Sequence, residues 1–94
     1  MDINRELRNL VSTGEVYFGQ RQALKALKGK KAKIIIAASN CPTVELDKVK
    51  AVSGAKVFKF EGTNVDLGAA CGKPFTVSMI TVIKEGESRI LDLA

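Results

Sequence analysis

The chain contains no histidine, and only two cysteines occur among its 94 residues. Without histidine, neither a Ser-His nor a Cys-His nucleophile pair can form. Cys41 and Cys71 lie far apart in the sequence and are a poor start for a zinc site. We favour a structural role for both thiols. The alternative for Cys41 is a reactive thiol at the start of a helix. We therefore expect no metal and no cofactor.

Long hydrophobic runs are also missing from the sequence. The longest one, Ile34–Ala38, is far shorter than the ~20 residues that a membrane span needs. Residues 1–6 lack the apolar core of a signal peptide. We therefore expect a cytoplasmic protein without membrane contact, in which residues 1–94 form a single domain with a modest core.

Acidic residues are absent from the segment between Val16 and Val44. Six basic residues fall in the same segment of a chain whose net charge is +5: Arg21, Lys25, Lys28, Lys30, Lys31 and Lys33. A local excess of positive charge on a small domain indicates a polyanionic partner, of which nucleic acid is the commonest.

Apolar spacing and turn residues predict alternating helices and strands, beginning with a helix. Strands are expected at residues 15–18, 33–38, 56–60 and 77–83, with a helix before each of them. Val44, Val49 and Val52 supply the apolar positions of the third helix. Such alternation is typical of an α/β fold with helices on both faces of a central sheet, whose central strands run parallel. Ligands of such sheets bind beyond the carboxyl ends of the strands, which directs attention to Asn40.

The glycine-rich segment Gly68–Pro74 resembles a phosphate loop only superficially. Three residues instead of four separate Gly68 from Gly72, and Pro74 stands where the loop needs Ser or Thr. A short helix with a glycine cap is the better interpretation. The acidic residues form no paired-carboxylate pattern either, so we predict that the protein is not an enzyme.

A basic helix face follows Gly19 and carries Arg21, Lys25 and Lys28 at helical spacing. An ordinary solvated face would have the same pattern. Two features favour nucleic acid, because Gly19 allows close approach of another backbone and the first amides of the helix can face a phosphate.

Two further residues have both a structural and a functional interpretation. Asn40 follows a buried strand and either bonds its own turn or uses its amide to read a base edge. Phe75 follows Lys73 and Pro74 and either packs in the core or forms an exposed platform for an unstacked base.

These features occur together in a known family. The chain resembles the L30e branch of the L7Ae-like superfamily of ribosomal and other kink-turn RNA-binding proteins. The resemblance rests on five stretches in order, residues 18–21, 34–42, 60–68, 72–77 and 86–91. The superfamily usually has Gly-Asn-Glu where this chain has Gly19-Gln20-Arg21, which favours the L30e branch. Gln22 and Ala23 also depart from the usual Lys and Ser or Thr.

The resemblance implies a three-layer α/β/α sandwich with a mixed four-stranded sheet, in which the last strand runs antiparallel. It also implies binding to RNA that contains tandem sheared G·A pairs and a sharp bend. The implied RNA-binding residues are Gly19, Gln20 and Arg21 at the helix start, Asn40 on a guanine, Phe75, Thr76 and Val77 beside an extruded nucleotide, and Lys25, Lys28 and Lys73 on phosphates.

The resulting prediction is a structural constituent of the large ribosomal subunit that binds kink-turn ribosomal RNA. We expect it to neighbour other ribosomal proteins and to be monomeric when free. One alternative is a kink-turn protein of a small RNP or ribonuclease particle. Another, of a different class, is a protein-interaction module with an acidic partner.

Overall fold

Four helices and four strands alternate along the chain in the computed structural model, which describes residues 2–26 and 32–93. The elements are α1 Ile3–Thr13, β1 Glu15–Phe18, α2 Gln20–Ala26, β2 Ile34–Ala37, α3 Thr43–Ser53, β3 Lys56–Lys59, α4 Asn64–Ala70 and β4 Met79–Lys84, followed by a 3₁₀ turn at Ile90–Leu93. The expected end of α2 at residue 28 lies outside the described residues.

The strands form one sheet in the order β1-β4-β2-β3. β2 and β3 are parallel, whereas β4 runs antiparallel to both β1 and β2. β2 is buried along its whole length, as its continuous run of apolar residues predicts. The predicted mixed four-stranded sheet is confirmed.

The helices cover both faces of this sheet. Leu7 and Leu10 of α1 pack with Leu67 of α4 on one face, and Ala23 of α2 packs with Val49 of α3 on the other. The molecule is therefore a three-layer α/β/α sandwich, as expected.

The buried face of α3 differs from the sequence prediction. Val49 is fully buried, but Val44 is 65% exposed and Val52 57% exposed. Five residues of helix correspond to about 140° of rotation, so Val44 and Val49 cannot share one face. Leu46, three residues before Val49, packs against the same core cluster instead.

Candidate nucleic-acid interface

Four chain segments meet at one end of the sheet. β1, β2 and β3 finish there, and β4 begins there because it runs in the opposite direction. Hydrogen bonds join the segments: the Gly19 N–H donates to the Met79 carbonyl at 3.0 Å and the Ala38 N–H donates to the Ser78 carbonyl at 2.8 Å. We call this region, which carries Gly19, Asn40 and residues 73–78, the loop end of the sheet.

Gly19 connects β1 to α2 with a φ of 79°. This left-handed conformation is strained for residues with a side chain, which explains the glycine. A Cβ atom at this position would meet nothing within 4 Å among the described residues. The backbone at the start of α2 is therefore open to approach from outside, as the sequence predicts.

A groove of about 660 Å³ opens between Gly19 and the segment that precedes β4. Phe75 is 52% exposed beside it and meets the ring of Phe18 edge to face, with 6.2 Å between the ring centroids. The Nζ atom of Lys73 lies 5.6 Å from the centroid of Phe18. An aromatic face and a cation stand together here, which suits a stacked base and its phosphate.

Asn40 is held by a residue that lies 24 positions away in the sequence. Its Oδ1 atom accepts the backbone N–H of Asn64 at 2.8 Å, and its Nδ2 donates to Oδ1 of Asn64 at 3.1 Å. Asn40 is nevertheless exposed. Of the two donors and two acceptors of the amide, one of each remains available to a ligand.

Helix α4 positions the loop that carries Phe75. The Val77 N–H donates to the carbonyl of Asn64, and the Lys73 N–H donates to the carbonyl of Gly68, both at 3.0 Å. A Cβ atom at Gly68 would overlap the carbonyl oxygen of Phe75. The loop therefore lies directly on the backbone of α4.

The remaining predicted site residues differ in how they can meet a ligand. Thr76 is exposed at the loop end, but the side chain of Val77 is only 2% exposed and packs in the core. Val77 can thus serve the site only through its backbone and by anchoring the loop. Gln20 and Arg21 occupy the first turn of α2.

The predicted phosphate-binding lysines are spread along α2 and beyond. Lys25 is exposed and lies six residues after Gly19, which is about 9 Å along the helix at 1.5 Å per residue. Lys28 lies outside the described residues. Lys73 comes from the other side of the groove, so cations are presented from two directions.

The basic stretch of the sequence does not form one surface. Lys33 precedes β2 and therefore lies at the far end of the sheet, where its Nζ contacts Oε2 of Glu85 at 2.7 Å. That hydrogen bond and the lysine's charge hold the pKa of the Glu85 carboxyl below its ordinary value. Lys33 thus belongs to a local ion pair rather than to the loop end.

Sequence reasoning missed several residues of this region as members of the site, among them Gln22 and Ser78 in the groove lining. Phe18 and Glu45 line the groove, and Asn64 holds Asn40. The Thr63–Asp66 segment matches a capping box, and the structure contains that box, so the local pattern was already explained. Asn64 lies inside this segment, and only its contact with the distant Asn40 shows that it belongs to the site.

Both thiols have the character of structural cysteines. Burial is the main cause that raises the pKa of Cys71 to about 11, and burial followed by the charge of Glu45 raises the pKa of Cys41. A raised pKa lowers the thiolate fraction and hence the reactivity. In the part of the chain that the structure describes, no three potential metal-ligating side chains come together.

Comparison with known proteins identifies the relatives of this chain. The model of the ribosomal protein L7Ae/L30e/S12e/Gadd45 family matches residues 1–92. A protein of Methanoregula boonei named large ribosomal subunit protein eL30 is 41% identical over 93 residues, with 99% of this chain and 96% of the relative covered.

Relatives from other organisms carry the same name. The eL30 protein of Methanospirillum hungatei is 38% identical, with 100% of this chain and 99% of the relative covered. That of Saccharolobus solfataricus is 40% identical, with 94% and 84% covered. None of these names describes an enzyme, which agrees with the prediction of a non-catalytic protein. No helix among the described residues is long and apolar enough to cross a membrane.

Proposed function

Because the chain belongs to the ribosomal protein L7Ae/L30e/S12e/Gadd45 family, we propose that it is a structural, non-catalytic constituent of the large ribosomal subunit. In this role residues 1–94 act as one domain that binds kink-turn ribosomal RNA at the loop end of the sheet. The cytoplasmic ribosome is its place of action. Neighbouring ribosomal proteins are its other partners, and it is monomeric before assembly.

One observation carries the RNA-binding part of the proposal. Gly19, Asn40 and Phe75 come from three distant segments of the sequence and lie at the same end of the sheet. They combine an open backbone, an exposed amide and an exposed aromatic ring. A bent RNA with an unpaired nucleotide offers a matching set of phosphates, base edges and an unstacked base.

The roles divide by chemistry. Lys25, Lys28 and Lys73 supply affinity through phosphates, together with the first turn of α2 at Gln20 and Arg21. Asn40 selects a guanine edge. Phe75 supports the extruded nucleotide, and Thr76 and the backbone of Val77 lie beside it in the same loop.

The test is a binding titration at fixed salt with two RNAs. One contains a kink-turn, and in the other Watson–Crick pairs replace the sheared G·A pairs. We expect clear preference for the kink-turn RNA. Equal and weak binding to both RNAs would overturn the kink-turn role and favour a partner protein with an acidic surface. A ribonuclease or guide RNA co-purifying with the protein would overturn the ribosomal assignment instead.

A pair of lysine variants shows where the RNA lies. Lys73→Ala removes a cation from the loop end, whereas Lys84→Ala removes one at the far end of the sheet. We expect Lys73→Ala to weaken binding to both RNAs. It should also reduce the slope of log Kd against log salt by about one unit, which is the contribution of one phosphate contact. Lys84→Ala should leave the slope unchanged. The reverse result would place the RNA at the far end.

A further inference from the structure

We propose that Asn64 is a positioning residue for RNA recognition, because its backbone N–H and its side-chain oxygen together hold the Asn40 amide in one orientation. The inference rests on the proposed function and adds a residue to it. Asn64 stands at the first position of α4, and its contacts with Asn40 join the turn after β2 to the start of that helix.

The orientation of the Asn40 amide follows from the donor that it meets. A backbone N–H can only donate, so the Asn40 atom 2.8 Å from the Asn64 nitrogen is the amide oxygen. The Nδ2 atom must then lie on the other side, where Oδ1 of Asn64 accepts one of its protons at 3.1 Å. The two bonds together define one face of the amide.

This arrangement leaves a defined hydrogen-bonding pattern for a ligand. One N–H and one oxygen lone pair of Asn40 stay free of Asn64. Guanine presents two acceptors, O6 and N7, at one edge, and the remaining N–H can donate to either of them. An amide turned by 180° would bring its oxygen toward the same acceptors. Without the Asn64 side-chain acceptor, only the backbone N–H of Asn64 opposes that turn, so the selection for guanine is weakened but not abolished.

Asn64 also links this turn to the loop beside the groove. Its carbonyl accepts the N–H of Val77 at 3.0 Å, two residues after Phe75. Asn64 therefore links the Asn40 amide to the loop that carries the Phe75 ring. The side-chain part of this role can be removed separately, since Asn64→Ala keeps both backbone bonds.

The experiment is a double-mutant cycle on the preference ratio, defined as Kd for the control RNA divided by Kd for the kink-turn RNA. Asn64→Ala should lower this ratio about three- to tenfold, the range of one neutral hydrogen bond. In an Asn40→Ala background the same substitution should change the ratio by less than about twofold, because coupled residues are non-additive.

Two further variants separate positioning from folding. Thr63→Ala removes the hydroxyl that caps the same helix start but keeps the bond from the residue 63 N–H to the Asp66 carboxylate, so the helix start stays in place. It should therefore lower Tm without changing the preference ratio. Asn64→Asp keeps the acceptor oxygen and should keep the ratio, although its charge weakens binding to both RNAs. In the free protein, the side-chain NH₂ resonance of Asn40 should shift in Asn64→Ala and stay in place in Thr63→Ala.

The outcomes distinguish this inference from the proposed function. If the parent protein prefers the kink-turn RNA and Asn64→Ala has the same ratio, the positioning role is wrong. An equal loss in the presence and absence of Asn40 would also contradict it, because Asn64 would then act independently. If the parent itself has a ratio near one, the kink-turn role fails and the inference fails with it.

Discussion

Phe75 combines solvent exposure with a fixed orientation. Half of the residue is exposed, yet the edge-to-face contact with Phe18 and the close packing of its backbone on Gly68 restrict its movement. A ring held in place before binding loses little conformational entropy when a base stacks on it. The combination of exposure and restricted movement is therefore what we expect of a ring that stacks on a base.

Cys71 provides a test of burial at the scale of one side chain. Its pKa is raised from an ordinary value of 9.0 to about 11, so the folded protein keeps the thiol proton where the unfolded chain loses it. The Cys71 thiol therefore leaves the free energy of unfolding unchanged below pH 9 and lowers it as the pH rises from 9 to 11. We expect the unfolding free energy of the parent to fall more steeply across this range than that of Cys71→Ala, measured by urea denaturation. Parallel curves for the two proteins would contradict the burial of this thiol.

Single residues were predictable where their neighbours in sequence define their surroundings. Asn40 follows a buried strand, and Phe75 follows Lys73 and Pro74, so both could be proposed from local pattern. Asn64 could not, because its role depends on a partner 24 residues away. Glu45 lies in the first turn of α3, where a negative charge suits the helix dipole, and the sequence does not show that the groove passes beside it.

At the scale of elements, α4 organises the loop end from both of its ends. A capping box with Thr63 and Asp66 fixes its start, and the carbonyl of Gly68 binds the backbone of Lys73 near its finish. The Phe75 loop lies between these two points. Movement of α4 would therefore displace the amide of Asn40 and the ring of Phe75 together.

Gly68→Ala tests the close approach between α4 and the Phe75 carbonyl, because we expect it to lower the free energy of unfolding where such a change in a helix usually raises it. In a helix, alanine is normally more stable than glycine by about 1 kcal/mol. Here the new Cβ would overlap the Phe75 carbonyl oxygen, so we expect destabilisation by about 1–3 kcal/mol, as for other overpacked sites. The measurement is urea denaturation, with a loss of kink-turn preference as the second readout.

The neighbouring position supplies the matched control for that variant. Ala69 lies in the same helix and is exposed, so Ala69→Gly should cost only the ordinary propensity difference of about 1 kcal/mol and leave RNA preference unchanged. An increase in stability for Gly68→Ala would show that the loop does not lie on the helix backbone.

The elements themselves were predictable because each has a local signature. The apolar run of β2, the capping box of α4 and the glycines that end α1 and α3 all act over a few residues. The buried face of α3 was wrong because Val44 and Val52 are apolar but exposed. Apolar identity alone does not say which side of a helix meets the sheet.

At the scale of the whole molecule, the sheet separates two ends of different character. The loop end holds an exposed amide, an exposed ring and Lys73, whereas the far end pairs Lys33 with Glu85. Local pattern predicted parallel central strands. The antiparallel direction of β4 was expected only from the family resemblance, because strand direction depends on pairing between distant segments.

The central claim, that RNA binds at the loop end, is tested most directly by amide chemical-shift mapping on addition of kink-turn RNA. We expect the largest changes at Gly19–Lys25, Ser39–Asn40, Asn64 and residues 73–78, with little change at Lys33 and residues 84–86. The result that would contradict the account is the opposite pattern, with the largest changes at the far end of the sheet and none at Gly19, Asn40 or Phe75.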